Sequence, residues 1–402
     1  MSTKLFLPVT FFLALTISFA FAAEPIAVPA NDWTALLDQR DGWTGADGIF
    51  SVNLDGMIQS GFEKRPQQQT LFVFSDTILG KVDPETLERR NTKMVNHSFA
   101  LLCGNVPSSE NIRFIHERDG VTTALPLKPA DENHWYWLSE CTVIHQNLYT
   151  FLFRIARDGD GAFGFKHVGV DLARFNLTAD GVDFDSVTLT LDNTRHPRIA
   201  LFRPKTVVAF GSGILENTKQ SGSINPDGYI YIYGYRDKDG KSSARSLTAA
   251  RCLPQEFADP YRWRYYAGNE TWSENLQDAV GIVENTGTEL SVTPIESGKL
   301  RGKFALVYTP GTIGSRIAVR IGESPVGAFG REIIVYEETE TKRLGGKTFA
   351  YNAKAHPSIS KTGELLISYN INSMDSEMRI FKEGGIYYPR FVTVKIDDLV
   401  DK

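Results

Sequence analysis

Acidic side chains recur at the beginning of apolar, strand-like stretches of this 402-residue chain. Asp47, Glu140 and Glu289 each begin such a stretch. Asp76 lies near the end of the second apolar stretch that follows Asp47, at Thr70–Ile78. Hydrolysis of a glycosidic bond needs one carboxyl group that is protonated and one that is ionised. Like charges at close range drive the pKa values of carboxyl groups apart. If the fold brings these four side chains together, we expect them to be catalytic residues, although an Asp–Gly pair such as Asp47–Gly48 is also a common turn.

Other side chains near the same strand ends are of types that bind sugars. An aromatic ring can stack on the apolar face of a pyranose or furanose, although most large aromatic residues lie in protein cores. An arginine within a strand can orient a carboxylate or a sugar hydroxyl group. We therefore predict substrate contacts for Trp43, Trp137, Arg320, Tyr351 and His356.

Strand patterns cover most of the chain between these residues. Runs of Val, Ile, Leu, Phe and Tyr end at Gly, Asp, Asn or Pro, which is typical of short strands joined by tight turns. Helical patterns are scarce, and one short helical segment is predicted near the start, at Trp33–Asp38. The sequence therefore predicts an all-β fold.

The predicted strands fall into five groups, each large enough for one antiparallel meander of about four strands. The groups are Gly48–Leu54, Thr70–Ile78, Ser98–Cys103 and Ile112–His116; Trp137–Ile144, Leu148–Arg154 and Gly164–Phe175; Val207–Leu215, Tyr229–Tyr235, Ser246–Cys252 and Trp263–Tyr266; Glu289–Pro294, Phe304–Thr309, Ile317–Ile321 and Ile333–Tyr336; and His356–Ser360, Leu365–Asn370 and Arg390–Lys395. This spacing predicts a five-bladed β-propeller, in which the first strand of each blade lines the axial channel. We expect Ile26–Trp33 to complete the last blade; a β-sandwich or two β-domains is the alternative.

The first 22 residues have the features of a secretory signal peptide. Lys4 precedes an apolar run from Leu5 to Phe21, and Ala20–Ala22 fits the small-residue pattern of a cleavage site. A transmembrane anchor is the alternative, but the run is short for one. We expect residues 23–402 to form a single propeller domain that is secreted or periplasmic, monomeric and not membrane-bound after cleavage.

Charge and cysteine usage argue against several other classes of protein. The net charge is −5 with no cluster of Lys and Arg, so no nucleic-acid partner is expected. Three widely spaced cysteines do not predict a disulfide framework, although Cys103 and Cys141 could pair. The seven histidines lie singly, without metal-ligand spacing. We predict no metal site and no cofactor, with an ion bound in the channel left open.

Several phrases of the sequence resemble a family of secreted bacterial five-bladed propellers, formerly a domain of unknown function, that includes endo-D-arabinanases. The phrases are Gly42–Ser51, Leu71–Thr77, Met94–Ser98, Gly228–Gly234, Ile317–Arg320 with Ser324–Phe329, and Ala355–Pro357 through Ile367–Asn370. They span nearly all of the chain after the signal peptide. The resemblance implies that Asp47 and Asp76 are the central acids, and we expect Asn96 and His97, in the third phrase, to contact substrate.

The sequence thus predicts a secreted glycoside hydrolase that acts on a polysaccharide or oligosaccharide, and the resemblance suggests one containing arabinofuranose. Adjacent strands lie about 4.8 Å apart, so Asp47 and Asp76 can share one rim of the channel. We favour Glu289 over Glu140 as the general acid, because Glu140 precedes Cys141 in a more apolar run. The alternatives are a non-catalytic carbohydrate-binding propeller and a polysaccharide lyase, which needs a base and charge neutralisation at a uronate.

Overall fold

The computed structural model describes residues 26–116, 127–160, 164–238, 241–375 and 377–400. The expected signal peptide lies outside these residues. In the ranges that are described, no helix is long and apolar enough to cross a membrane.

The fold is all-β, as the strand patterns predict, and its helices are short. The α-helices are α1 (Asn31–Leu36), α2 (Glu340–Leu344) and α3 (Glu377–Lys382), and 3-10 turns lie at Phe62–Lys64, Pro254–Glu256, Leu276–Asp278, Pro357–Ile359 and Ile396–Leu399. Helix α1 confirms the short helical segment predicted near the start of the chain. Its buried residues, Trp33 and Leu36, face the core.

The first eight strands are β1 (Ala27–Pro29), β2 (Asp41–Ala46), β3 (Phe50–Asn53), β4 (Gln69–Phe74), β5 (Thr77–Val82), β6 (Arg89–Val95), β7 (Ser98–Cys103) and β8 (Ile112–Ile115). Of these, β1 belongs to the last sheet of the fold, and β2 to β8 alternate between two sheets. Sheet 1 has the order β3-β4-β7-β8, and an accessory sheet has the order β2-β5-β6. The chain therefore changes sheets between β2 and β3, between β4 and β5, and between β6 and β7. The single strand predicted over Thr70–Ile78 is in fact two strands, divided at Ser75–Asp76.

The next two sheets are regular antiparallel meanders. Sheet 2 has the order β12-β11-β10-β9 and contains β9 (His134–Ile144), β10 (Asn147–Arg157), β11 (Phe165–Thr178) and β12 (Gly181–Leu191). Sheet 3 has the order β13-β14-β15-β16-β17-β18, with β19 also paired to β16. Its strands are β13 (Ala200–Arg203), β14 (Thr206–Asn217), β15 (Tyr229–Lys238), β16 (Lys241–Cys252), β17 (Arg264–Gly268), β18 (Thr271–Ser273) and β19 (Val283–Glu284).

The last two sheets bring the chain back to its beginning. The strands are β20 (Leu290–Pro294), β21 (Phe304–Tyr308), β22 (Ile313–Gly314), β23 (Arg316–Ser324), β24 (Gly327–Phe329), β25 (Ile333–Glu337), β26 (Thr348–Ala355), β27 (Glu364–Ser373) and β28 (Arg390–Lys395). Sheet 4 has the order β20-β21-β23-β24, with β25 also paired to β23, and sheet 5 has the order β1-β28-β27-β26-β22.

Closure of sheet 5 by the N-terminal strand confirms one expectation, and the start of the same sheet corrects another. In β1, Ala27 pairs with Val394 of β28. The strand predicted over His356–Ser360 is instead a 3-10 turn that follows β26. Proline lacks the N–H group that a ladder needs, so Pro357 ends the strand rather than continuing it.

The first long strands of the five numbered sheets surround a central channel. Strand β3 contacts β9, β9 contacts β14, β14 contacts β20, and β20 contacts β26. The turn after β26 contacts β3, so the circuit of contacts returns to its start. Each of these segments also contributes residues to one axial cavity.

The apolar core is divided into layers between neighbouring sheets. Each of five buried clusters in the described chain joins two adjacent sheets. Representative pairs are Phe50 with Leu152, Phe153 with Ile232, Tyr233 with Leu306, Val319 with Ile367, and Leu366 with Phe72. Burial of these side chains holds the sheets face to face, so the channel-lining strands are fixed by the hydrophobic effect.

Several channel-lining strands lose their regular pairing at one end of the channel. Register shifts fall at Ser139–Glu140 in β9, at Gly211–Ser212 in β14 and at Asn352–Ala353 in β26. A β-bulge redirects a side chain out of the usual alternation, and such bulges are common beside active sites.

Hydrogen bonds between sheets also concentrate at this end. The Ser75 hydroxyl donates to the Leu138 carbonyl at 2.6 Å, and the Ser139 hydroxyl donates to the Gly211 carbonyl at 2.7 Å. The Asn370 amide donates to the Ala46 carbonyl at 2.9 Å, which ties sheet 5 to the segment before Asp47. These bonds link neighbouring sheets, and the bond from Ser139 reaches Gly211, where the pairing of β14 with β15 is interrupted.

We predict that removal of β1 destabilises the protein. A chain beginning at Asn31 should lose about 3 kcal/mol of unfolding free energy, because about three backbone hydrogen bonds to β28 contribute roughly 1 kcal/mol each. Denaturant unfolding of this chain, beside a control that begins at Glu24, measures the difference. Equal unfolding midpoints for the two chains would show that β1 does not close the sheet in solution.

Candidate active site

Asp47 and Asp76 lie side by side where the chain changes sheets. The Asp47 amide donates to the Asp76 carbonyl at 3.2 Å, and the Ser75 amide donates to the Asp47 carbonyl at 2.9 Å. Gly48 has φ of +59°, and a Cβ atom there would lie 2.2 Å from the Ser75 hydroxyl oxygen. The close approach of the two segments therefore requires glycine at this position.

The Asp47 carboxyl group accepts hydrogen bonds from two tyrosines. The Tyr351 hydroxyl donates to it at 2.8 Å, and the Tyr387 hydroxyl donates from the segment that joins β27 to β28. Burial, and then the charge of Glu289, raise the pKa of Asp47 to about 7. The two tyrosine hydroxyls and the Lys354 ammonium favour the ionised form and oppose this rise.

Asp76 has an indole as its partner. The Trp137 N–H donates to an Asp76 carboxyl oxygen at 2.7 Å, and the Trp137 ring packs edge-on against Phe165 at 4.6 Å. Burial and the neighbouring Asp47 charge hold the pKa of Asp76 well above its ordinary value, against the effect of the indole hydrogen bond. The two aspartates therefore cannot both ionise readily at neutral pH.

Glu140 enters the site from the bulge in β9. Its carboxyl group accepts a hydrogen bond from the Cys141 amide at 3.1 Å. Burial raises the pKa of Glu140 to about 8, and the charge of Glu289 adds to the rise, while the Cys141 amide and Lys354 oppose it. This carboxyl group therefore holds a proton at pH 7.

Glu289 differs from the other three acids because it forms an ion pair with Lys354. The Lys354 ammonium donates to the Glu289 carboxylate, is 1% exposed and lies 4.2 Å from the centre of the Phe50 ring. Burial raises the pKa of Glu289, and the Lys354 charge opposes this rise. The structure thus brings the four acids predicted from the sequence into one electrostatic cluster.

The sequence did not indicate Lys354, Tyr387 or Phe50. Tyr387 lies in a long connection with no strand pattern and has φ of +65°, so its position depends on tertiary contacts. The signal for Lys354 was present in Ala353–Lys354–Ala355, because a lysine inside a small apolar strand must be paired if it is buried.

A cavity of about 60 Å³ lies on the channel axis beside Glu140 and Lys354. Its volume is enough for a few water molecules. Farther along the axis, the Thr142 hydroxyl donates to the Glu216 carboxyl group, and burial raises the pKa of Glu216 to about 7. The Asn53 side chain also lines this cavity, and its amide has no hydrogen-bond partner in the part of the chain that the structure describes. The channel is therefore polar on the inner side of the acid cluster.

Two further residues predicted to contact substrate have structural partners in the described chain. Trp43 is 1% exposed, donates to the Ser98 hydroxyl at 3.0 Å and packs against Phe74 and Phe114, so it contributes to the core. Arg320 in β23 donates to the Tyr308 hydroxyl and the Gly330 carbonyl, both at 2.8 Å, and none of its hydrogen bonds or ion pairs involves the four acids.

The predicted histidines are also enclosed. His356 bridges the Ser51 and Ser368 hydroxyls at 2.7 Å each, and burial, with Lys354, lowers its pKa to about 3. His97 is buried, neither of its ring nitrogens has a hydrogen-bond partner among the described residues, and burial lowers its pKa to about 4. Asn96 is exposed between β6 and β7. Substrate contact by these three residues stays a prediction.

The part of the chain that the structure describes contains no group of three or more His, Cys, Asp or Glu suited to hold a metal ion. Cys103, Cys141 and Cys252 are free thiols, so the possible pairing of the first two does not occur in this structure. The chemistry that the site offers is proton transfer between carboxyl groups, two of which titrate near neutrality.

Comparison with solved structures identifies a shared fold. A provisionally assigned hydrolase from Bacteroides ovatus is 17% identical, with a TM-score of 0.69 over 94% of this chain and 92% of that one. A xylose complex of the GH43_1 enzyme from Xanthomonas citri is 11% identical, with a TM-score of 0.43 over 91% of this chain and 89% of that one. A levansucrase mutant from B. megaterium is 11% identical, with a TM-score of 0.47 over 92% and 89%. Only the first score is high enough to show a common fold.

Curated proteins include no match to this chain. A family model does match, and it covers nearly all of the described fold, from before α1 through the end of β28. The matched segment is residues 30–396, and it includes all four acids and Lys354. The chain therefore belongs to the family described as a domain of unknown function (DUF5005).

Proposed function

We propose that this protein is a glycoside hydrolase whose acid–base chemistry is performed by the carboxyl cluster at one end of the channel. The observation that carries the proposal is the placement of four carboxyl groups at one end of the channel, with Asp47 beside Asp76, Glu140 on the β9 bulge and Glu289 paired with Lys354. The pKa values of Asp47, about 7, and Glu140, about 8, support a division of protons among these groups. Glycosidic-bond hydrolysis requires such a division between a carboxylate and a carboxylic acid. The proposal includes a five-bladed β-propeller, with sheets 1 to 5 as the blades.

Within this proposal, Glu140 is the general acid. Its carboxyl group forms no ion pair with any described residue and retains a proton at pH 7, whereas Glu289 is already paired with Lys354. The sequence favoured Glu289 for this role, and the ion pair is the reason for the change. Asp47 is the base or nucleophile, because two tyrosine hydroxyls stabilise its ionised form. Asp76 remains protonated beside it and positions the sugar.

A polysaccharide lyase fits the site less well. Elimination from a uronate requires positive charge beside the substrate carboxylate. Lys354 is the cation whose charge affects Asp47, Glu140 and Glu289, and in the described structure it is buried and paired with Glu289. An acidic glycan would therefore meet uncompensated negative charge, so we propose a neutral glycan as substrate.

The remaining parts of the proposal come from the sequence. The phrases shared with the propeller family that includes endo-D-arabinanases suggest a glycan that contains arabinofuranose. Trp137 supports sugar binding, because its partly exposed ring holds Asp76 and can offer an apolar face. The signal-peptide pattern before Ala23 suggests that the enzyme acts outside the cytoplasm.

The test of the proposed function is a panel of neutral polysaccharides, including arabinans, xylan and levan, with a pectic glycan as the acidic comparison. Product chromatography and reducing-end analysis should show hydrolysis of at least one neutral glycan. Unsaturated products absorbing in the ultraviolet would instead identify a lyase. Saturable binding without any product would support the carbohydrate-binding alternative.

We predict that Asp47→Asn lowers kcat by at least about a hundredfold, the low end for loss of a positioned acid or base, with substrate binding largely retained. The substitution removes the charge and keeps the side-chain shape. Steady-state kinetics and calorimetric binding on the glycan identified by the panel measure the two effects. Arg320→Lys is the matched control, because Arg320 contacts none of the four acids. Near-normal turnover by Asp47→Asn would reject its assignment.

We also predict a bell-shaped dependence of kcat/KM on pH, with its maximum between about 7 and 8. Activity should rise as Asp47 loses its proton near pH 7 and fall as Glu140 loses its proton near pH 8. Glu140→Gln should lower turnover and remove the alkaline limb, because the group whose loss of a proton lowers activity near pH 8 is absent. An unchanged alkaline limb in Glu140→Gln would show that another group is the acid.

A further inference from the structure

The Lys354–Glu289 ion pair lies at the point where sheets 1, 4 and 5 meet, with the Lys354 side chain 1% exposed and the Glu289 side chain 13% exposed. Lys354 comes from β26 directly after its bulge, and Glu289 immediately precedes β20. The Lys354 ammonium also packs against the face of Phe50, the first residue of β3. Removing one partner of a buried ion pair leaves an uncompensated charge, so the two groups depend on each other.

Every titratable group of the acid cluster faces this pair or a direct neighbour of it. Lys354 acts on Asp47, Glu140, Glu289 and His356, and the Glu289 charge acts on Asp47, Glu140 and Tyr351. Asp76 and Tyr387 are linked to the pair through Asp47. The pair is therefore the electrostatic centre of the site, although in the described structure the Lys354 ammonium donates its side-chain hydrogen bond to Glu289 and not to Asp47 or Glu140.

We propose that Lys354 is a positioning residue that holds Glu289 as a permanent carboxylate, so that the ion pair determines which of the other carboxyl groups carries a proton. The proposal deepens the proposed function and rests on it for its kinetic consequence. Its electrostatic content can be tested without any substrate.

The two partners act on their neighbours in opposite directions. The ammonium favours ionisation of Asp47 and Glu140, and the Glu289 carboxylate disfavours it. Glu289→Gln leaves the ammonium alone and should lower the pKa of Glu140. Lys354→Met leaves a buried carboxylate alone, and Glu289 should then take up a proton. Removing both partners removes both effects, so Lys354→Met/Glu289→Gln should return the pKa of Glu140 close to that of the unmodified protein.

The experiment is an infrared titration of the full chain, labelled with ¹³C at the glutamate carboxyl groups, from pH 5 to 10. The protonated-carboxyl band of Glu140 is assigned with Glu140→Gln. In Glu289→Gln its midpoint should fall by about one pH unit, the low end for a charge a few ångströms away. In Lys354→Met a new glutamic acid band should be present at pH 7, and in Lys354→Arg it should be absent because the charge is kept.

Two further variants keep the result interpretable. Lys303→Met is the matched control, because it removes the exposed 2.7 Å pair with Glu323 and should leave all midpoints unchanged. The double variant Lys354→Met/Glu289→Gln contains no unpaired buried charge, so it tests the proposal even if Lys354→Met fails to fold. Its Glu140 midpoint should lie within about half a pH unit of the unmodified value.

The proposal is overturned if Glu289 already carries a proton at pH 7 in the unmodified protein, or if Glu289→Gln leaves the Glu140 midpoint unchanged. On the glycan that the panel identifies, Glu289→Gln should move both limbs of the pH profile to lower pH. Loss of kcat with unmoved limbs would indicate a merely structural role. Titrations that shift as expected without hydrolysis of any glycan would reject the proposed function and leave this inference intact.

Discussion

Four half-buried carboxyl groups and one buried ammonium group share a site at one end of the channel, and this electrostatic constraint governs the rest of the structure. If every group ionised, Asp47, Asp76, Glu140 and Glu289 would carry four negative charges against the single charge of Lys354. Water cannot screen these charges well inside the channel, so protons must remain on some of the acids. The pKa values of Asp47 and Glu140 are raised because it is unfavourable to ionise these carboxyl groups beside one another.

The same constraint lowers the stability of the fold at alkaline pH. A carboxyl group whose pKa is higher in the folded than in the unfolded chain favours folding below its unfolded pKa. That contribution is lost as pH rises through the folded pKa. For Asp47 the loss extends from about pH 4, the ordinary aspartate value, to about pH 7. The layered apolar clusters between the sheets must supply the stability that the acid cluster removes.

The irregular parts of the fold are what bring the acids together. Asp47 and Asp76 lie side by side where the chain passes from one sheet to another. Both carboxyl groups are therefore at the same end of the channel. Glu140 lies on a bulge, and Lys354 follows one. In a regular strand, the side chains on one face recur at every second residue. With that spacing alone, these side chains could not lie so close together.

The sequence predicted the all-β class and the closing N-terminal strand, and it singled out the four acids that the structure places together, because each depends on local patterns. Apolar alternation and turn residues mark strands, and an acid before such a strand is visible without a structure. The accessory sheet was missed because Thr70–Ile78 reads as one apolar run, and only tertiary contacts divide it at Ser75–Asp76. The pairing of Glu289 with Lys354 joins residues 65 positions apart, so no local pattern could reveal it.

The central claim is that Asp47 and Glu140 retain protons near neutrality because of their shared surroundings. A potentiometric titration that compares the unmodified protein with Asp47→Asn/Glu140→Gln counts these protons directly. The unmodified protein should release two additional protons between about pH 6 and pH 9. Release of both protons below pH 5 would show that the two groups ionise as ordinary carboxylates and would contradict the account.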